Sequence, residues 1–135
     1  MKHIRVPSEL LQPPFTHREL SMNGFSVVES CTHTKSSRGA MFLEEHMLLY
    51  VREGRNIMTH GKVSYTVRQN EMLLLNKATL IEYHKTGDPL KNNGYDSLLF
   101  FLKDDFLQEF LRMANITYQP AKEPVKIAVK PVKPR

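Results

Sequence analysis

His46-Met47-Leu48-Leu49-Tyr50-Val51-Arg52-Glu53-Gly54, then Arg55-Asn56-Ile57-Met58-Thr59-His60-Gly61, and after Val63-Ser64-Tyr65-Thr66-Val67 the run Asn70-Glu71-Met72-Leu73-Leu74-Leu75, form the stretch that decides the fold. The apolar run ends at Glu53-Gly54, as a strand ends at a glycine turn. Arg55 to Thr59 and Lys62 to Val67 flank His60-Gly61, an X-Gly pair of the kind that closes a tight hairpin. From Val63 to Val67 apolar and polar residues alternate, the pattern of a half-buried strand. Asn70 stands where the next turn must fall, and asparagine is second only to glycine in tolerating left-handed backbone.

Outward from this stretch the chain stays strand-like. Phe25 to Cys31, Met41 to Arg52, Leu80 to Lys85 and Tyr95 to Leu102 add further short strands. Polar, turn-rich segments separate them at 32–39, 76–79 and 86–94. About eight short strands with frequent turns and no long helix between them indicate an all-β, antiparallel barrel or sandwich. One helix closes the body: Phe106, Leu107, Phe110, Leu111 and Ala114 recur on a single face. Asp104 or Asp105 can cap it, and Asp105 with Gln108 has the spacing of a capping box.

The two ends differ from the body. Residues 1–24 hold Pro7, Pro13, Pro14 and Gly24 with little periodicity, and are expected to form an N-terminal arm over the surface. Residues 116–135 contain Pro120, Pro124, Pro131 and Pro134 among lysines. Proline removes backbone donors and pushes its predecessor toward extended geometry, so this segment is expected to be a semi-rigid linker, neither helix nor central strand. The organisation expected is therefore 1–24 arm, 25–115 body with closing helix, and 116–135 linker.

Composition narrows the classes. A length of 135 residues supports one core, and 41% hydrophobic with 24% charged residues suits a globular chain. No uninterrupted apolar run exceeds five residues, as at Leu98 to Leu102, so no segment is expected to span a bilayer. The basic start Met1-Lys2-His3-Ile4-Arg5 is not followed by an apolar stretch, which speaks against a signal peptide. The lone Cys31 excludes an internal disulfide, and a cytoplasmic setting is expected. The net charge of +5 is unevenly placed: residues 122–135 carry +4, and the other 121 residues carry +1. No aromatic residue interleaves those lysines, so a solvated linker explains them better than a nucleic-acid site.

The order Tyr50-Val51-Arg52-Glu53-Gly54, His60-Gly61, Asn70-Glu71 and Met72 to Leu75 resembles the cupin pattern. That resemblance implies a cupin-like (double-stranded β-helix or jelly-roll) barrel. Many cupins hold a metal with three histidines and a glutamate, and counting along the pattern puts those ligands at Met41, Leu43, Met47 and Ile81. Thioethers and aliphatic groups do not hold a hard divalent cation, so neither metal nor other cofactor is expected. His3 and His17 fall in the arm, His33 in a loop, His60 in a turn, and strand parity turns His46 and His84 outward. Cys31 reads as a buried small side chain, and no G-x-S-x-G or phosphate-binding loop occurs. No enzyme activity is expected. If the apolar positions of the strands face inward, the barrel is lined by Met41, Leu43, Met47, Leu49, Val51, Ile81 and Tyr83. Such a lining is either a filled core or a pocket for an apolar or mixed-polarity small molecule oriented by Tyr83.

A cupin with apolar metal positions, followed by Leu99-Phe100-Phe101-Leu102 and Asp105-Phe106-Leu107-x-x-Phe110, resembles the N-terminal sensor domain of AraC-type bacterial transcription regulators over about residues 25–115. That resemblance implies a domain that senses a small-molecule or protein effector and forms a homodimer. Phe106, Leu107, Phe110 and Leu111 are the residues expected to pair the helices. DNA contact belongs in that family to a C-terminal double helix-turn-helix domain, for which no helical periodicity remains after Ala114. The alternative is a free-standing small cupin acting as a ligand-binding protein or enzyme.

Overall fold

A computed structural model of the chain describes residues 3–11, 18–22, 25–113 and 125–128. The strands are β1 (Ile4–Val6), β2 (Arg18–Met22), β3 (Phe25–His33), β4 (Ser36–Leu43), β5 (His46–Glu53), β6 (Arg55–His60), β7 (Val63–Val67), β8 (Glu71–Leu75), β9 (Leu80–Thr86) and β10 (Gly94–Leu102). The helix α1 (Asp104–Met113) follows, and β11 (Val125–Ala128) comes last. They make two sheets in the orders β1-β4-β9-β6-β7 and β11-β8-β5-β10-β3-β2. Every named pairing is antiparallel except that of β1 with β4. This is the cupin-like barrel that the turn pattern implied.

The turns carry the expected backbone. His60 pairs with Val63 across Gly61 at φ +62°, closing the hairpin. Asn70 takes φ +64°, and its amide donates to the Val51 carbonyl at 2.8 Å. Gly54 sits at φ +80°, and a Cβ there would lie 2.6 Å from the Thr86 carbonyl oxygen. Glycine is thus required at this turn for both conformation and space.

Period-two burial divides the second sheet into two faces. Met47, Leu49 and Val51 of β5, Leu73 and Leu75 of β8, and Leu99 and Phe101 of β10 point into the barrel and are buried. Their neighbours Leu48, Leu74 and Leu102 point the other way, where Leu107 and Leu111 of α1 cover them. A helix of ten residues does not persist alone in water, so this contact holds it. Asp104 adds a polar clamp: its carboxylate accepts from His46 Nε2 at 2.7 Å and from Lys77 Nζ at 2.6 Å. The Lys77 ammonium and the His46 ring hold its pKa below the usual carboxylate value. Asp104 therefore ties the helix start to the barrel. His46 faces away from the barrel interior, as parity requires, yet it is buried beneath the helix and also accepts from the Lys77 amide at 3.2 Å.

Both ends depart from expectation. The arm is built into the sheets: β1 pairs with β4 through Ile4↔Met41 to Val6↔Leu43, β2 pairs with β3, and Val6 and Leu10 are buried. Two buried apolar side chains outweigh the weak local pattern there. The polar segment 32–39 is mostly strand, because long-range pairing of β4 with β9 overrides its turn-rich composition. Within the linker, β11 pairs with β8 from Val125↔Leu74 to Ala128↔Glu71. It sits at the sheet edge in the proline-free interval between Pro124 and Pro131, the placement proline permits. His17 and the rest of the linker, 116–124 and 129–135, lie outside the described residues.

Candidate functional site

Strand register sorts the interior into layers. At one end Met41 and Ile81 pair across β4 and β9, and Phe101 pairs with Met47, which pairs with Leu75. In the middle Gly39, Tyr83 and Met58 align on one sheet, opposite Val28 and Leu99 on the other. At the far end Ser37, Lys85 and Asn56 align across β4, β9 and β6. Ser30 with Ser97, and Thr32 with Tyr95, align across β3 and β10. The apolar interior thus becomes polar toward one end.

A partly enclosed cavity of about 230 Å³ lies at that transition. Met41, Met58 and Leu99 form its apolar side, and Ile4 and Leu10 bring the N-terminal segment against it. Ser30, Thr32, Asn56, Lys85, Tyr95 and Ser97 supply the polar side, with Tyr83 between. Gly39 makes room for Tyr83: a Cβ at that position would fall 2.3 Å from the phenol oxygen.

Lys85 dominates the electrostatics. Its side chain crosses from the first sheet to the second, where Nζ donates to Ser30 Oγ at 3.1 Å. The ammonium stands 5.0 Å from the Tyr83 ring centre and 5.6 Å from that of Tyr95, within cation–π range. Among the described residues no carboxylate pairs with it. Burial lowers its pKa, as expected for a cation removed from water without a counter-ion. Burial also raises the Tyr83 pKa and pushes that of Tyr95 up to about 12. Asn56 uses its amide NH₂ on the Tyr95 hydroxyl at 2.9 Å, and its Oδ1, like Thr32 Oγ1, has no hydrogen-bond partner among the described residues.

All seven residues expected to line the barrel belong to one interior cluster. Met41 and Tyr83 reach the cavity, whereas Leu43, Met47, Leu49, Val51 and Ile81 pack beneath it with 0% exposure. On α1, Leu107 and Leu111 are buried against the sheet and Phe106 packs on the same cluster; the Phe110 side chain lies outside the described residues. Ser30, Thr32, Asn56, Lys85 and Ser97 were not anticipated. Lys85 was within reach of the parity argument, since it follows Ile81 and Tyr83 by steps of two. Polar residues are normally placed outside, so apolar alternation read from the sequence ends at Tyr83.

A second group lies on the outer face. Glu29, Cys31 and Asp96 bring their ligand atoms within 4.8 Å of one another. Arg52 Nη2 lies between the carboxylates, bonded to Glu29 and to Asp96 Oδ1 at 3.0 Å, and offsets part of their charge. Cys31 is exposed rather than buried, because it alternates with the inward Ser30. Its thiol donates to Asp96 Oδ1 at 3.0 Å, and partial desolvation with the two carboxylates pushes its pKa up to about 12. Since only the thiolate is nucleophilic, Cys31 in the folded chain should react with DTNB at pH 7 at least about a hundredfold more slowly than in urea. Asp96→Asn should recover much of that rate. A folded-state rate equal to the unfolded one would contradict the Cys31–Asp96 contact.

Comparison with known proteins supplies the context. The ExsA N-terminal regulatory domain model matches residues 46–130. No curated protein sequence matches the chain. ToxT from Vibrio cholerae is similar in structure, with a TM-score of 0.56 at 14% identity over 79% of this chain and 43% of ToxT. A ToxT structure with an unsaturated fatty acid bound gives a TM-score of 0.56 at 16% identity, over 81% of this chain and 42% of that one. The chain therefore spans less than half the length of ToxT. A cupin superfamily protein from Desulfitobacterium hafniense gives 0.52 at 11% identity, over 66% of this chain and 77% of the other.

Proposed function

The chain belongs to the ExsA N-terminal regulatory domain family, and from that premise we propose that its barrel is the effector-sensing part of an AraC-type transcription regulator, with the cavity as the effector site. One observation carries the proposal: a cation and three polar atoms without a hydrogen-bond partner among the described residues, Thr32 Oγ1, Asn56 Oδ1 and Ser97 Oγ, converge on a cavity whose other walls are apolar. A ligand site has this composition, mostly apolar with a few placed polar groups. A chain selected only for stability would fill such a space with aliphatic side chains, because an unmet buried polar group costs about 1–3 kcal/mol. ToxT, which shares the fold and has been solved with an unsaturated fatty acid bound, supports a small-molecule effector.

The cavity offers binding rather than catalysis. Among the described lining residues the ionisable groups are Lys85, Tyr83 and Tyr95, with no carboxylate or histidine to complete an acid–base pair. Self-association through α1 is the second part of the proposal. Leu107 and Leu111 are committed to the barrel, so a partner helix would meet the positions they leave, the exposed Met113 among them. DNA contact would fall to a further domain, reached through the basic residues after Ala128.

The direct test is methyl NMR of the chain against a library of neutral, cationic and anionic small molecules. Binding should shift the Met41 and Met58 methyl signals, which report the cavity wall. A library without a single compound that moves either signal would overturn the effector site.

A further inference from the structure

Deepening the effector-site proposal, on which it rests, we propose that the cavity takes a compact carboxylic acid bearing a hydroxyl close to its carboxylate, with Lys85 as counter-ion and Asn56 Oδ1 as acceptor for the hydroxyl. Three features of the cavity point to this class: a cation without a carboxylate partner among the described residues, an acceptor beside it without a donor among them, and a small apolar remainder.

The charge comes first. Lys85 Nζ is half-buried, with a neutral hydroxyl, Ser30 Oγ, and two aromatic faces around it. Even partial removal of an ammonium from water is unfavourable unless an anion compensates, and among the described residues no carboxylate pairs with this one. A carboxylate satisfies the ammonium electrostatically and can also accept from the Thr32 hydroxyl, whose oxygen has no partner. A neutral effector would leave the cation as it is.

The acceptor fixes the second group. Asn56 and Lys85 are direct cross-strand partners on β6 and β9, so their Cβ atoms lie about 4.5–5.5 Å apart on one face. Asn56 is 1% exposed, and its Oδ1 waits for a donor. A ligand whose carboxylate meets Lys85 therefore presents its adjacent carbon to Asn56, where a hydroxyl is the donor that fits. Across the cavity from these polar groups Met41, Met58 and Leu99 form an apolar wall, which offers nothing to further hydroxyls. A sugar, polar on every side, would set several hydroxyls against that wall unmet. The volume of about 230 Å³ is below the roughly 300–1,000 Å³ of sites for drug-sized ligands, so the body of the acid is compact.

The experiment is titration of the chain, followed by the Met41 and Met58 methyl signals, with lactate, mandelate and phenyllactate. Each is run beside its primary amide and its deoxy acid, and palmitoleate serves as the long-chain comparator. At least one hydroxy acid should bind about tenfold or more tightly than its amide, and more tightly than its deoxy acid, the difference expected for a hydrogen bond to a charged group. Palmitoleate should not displace it. In Lys85→Met, which should fold at least as well as the parent, the preference of acid over amide should fall to within about twofold. An amide that binds as tightly as its acid, a preference that survives Lys85→Met, or tighter binding of palmitoleate overturns the proposal while the effector site stands. Hits confined to the neutral compounds of the wider library do the same. If no compound of any charge moves the methyl signals, the effector site itself falls.

Discussion

Phe101→Ala lowers the unfolding free energy by about 3–5 kcal/mol, a large share of the about 5–15 kcal/mol by which a domain is stable. Its neighbour Phe100→Ala removes only about 1–2 kcal/mol, the loss expected for a half-buried ring. The two residues are adjacent on β10 and differ only in the face they occupy. Phe101 has 0% exposure and packs within the barrel near Leu99 and Met47, while Phe100 packs on the outer cluster beneath α1. Truncating Phe101 leaves a cavity that two sheets cannot collapse around. Truncating Phe100 loosens a surface helix that can shift to fill the gap. The chain has no tryptophan, so far-UV circular dichroism in urea is the suitable signal. Equal losses for the two substitutions would mean that β10 is displaced by one residue, which would reverse every side chain on it.

The second large effect is a fall in stability on the alkaline side. Tyr95 ionises at 10.0 in an unfolded chain and at about 12 in the folded one, because burial disfavours the phenolate. Between those values the unfolded chain binds fewer protons than the folded one, so stability falls as pH rises, by about 2–3 kcal/mol across the window. Tyr83, raised by burial, acts in the same direction. Lys85 has the opposite sign. Its pKa is lowered in the folded chain, so the unfolded chain binds more protons below 10.5 and stability rises toward that pH. Urea midpoints measured against pH should therefore climb toward pH 10 and then drop. Tyr95→Phe should reduce the drop, and Lys85→Met should remove the climb. A parent curve that stays level above pH 10 would contradict the burial of the Tyr95 phenol.

Much of the barrel was legible because turns are a local property. Gly54, Gly61 and Asn70 declare left-handed backbone by residue type, and their spacing fixes where strands begin and end. Parity along Met47, Leu49 and Val51 was equally readable, since alternation is a short-range consequence of the pleat. The arm and β11 were not readable. Each is a three- to five-residue strand in proline-rich surroundings that hide so short a signal, and the partners of β1 and β11 lie tens of residues away. The continuous segment from Met41 to Arg52 divides into β4 and β5 at Glu44-Glu45, a turn without glycine, proline or asparagine to mark it.

The site was legible only in half. Met41 and Tyr83 follow from apolar alternation, but Ser30, Thr32, Asn56, Lys85 and Ser97 are the polar residues that a sequence pattern assigns to solvent. By itself the sequence determined the antiparallel barrel and the closing helix, because each rests on residue type and spacing within a few positions. Tertiary structure alone decided that Lys85 and Asn56 stand side by side inside the barrel, facing Ser30 and Thr32 from the opposite sheet. Their meeting depends on the register of strands some 30 residues apart and on the packing of two sheets. No local pattern encodes the free-energy balance by which a fold turns a lysine toward its interior.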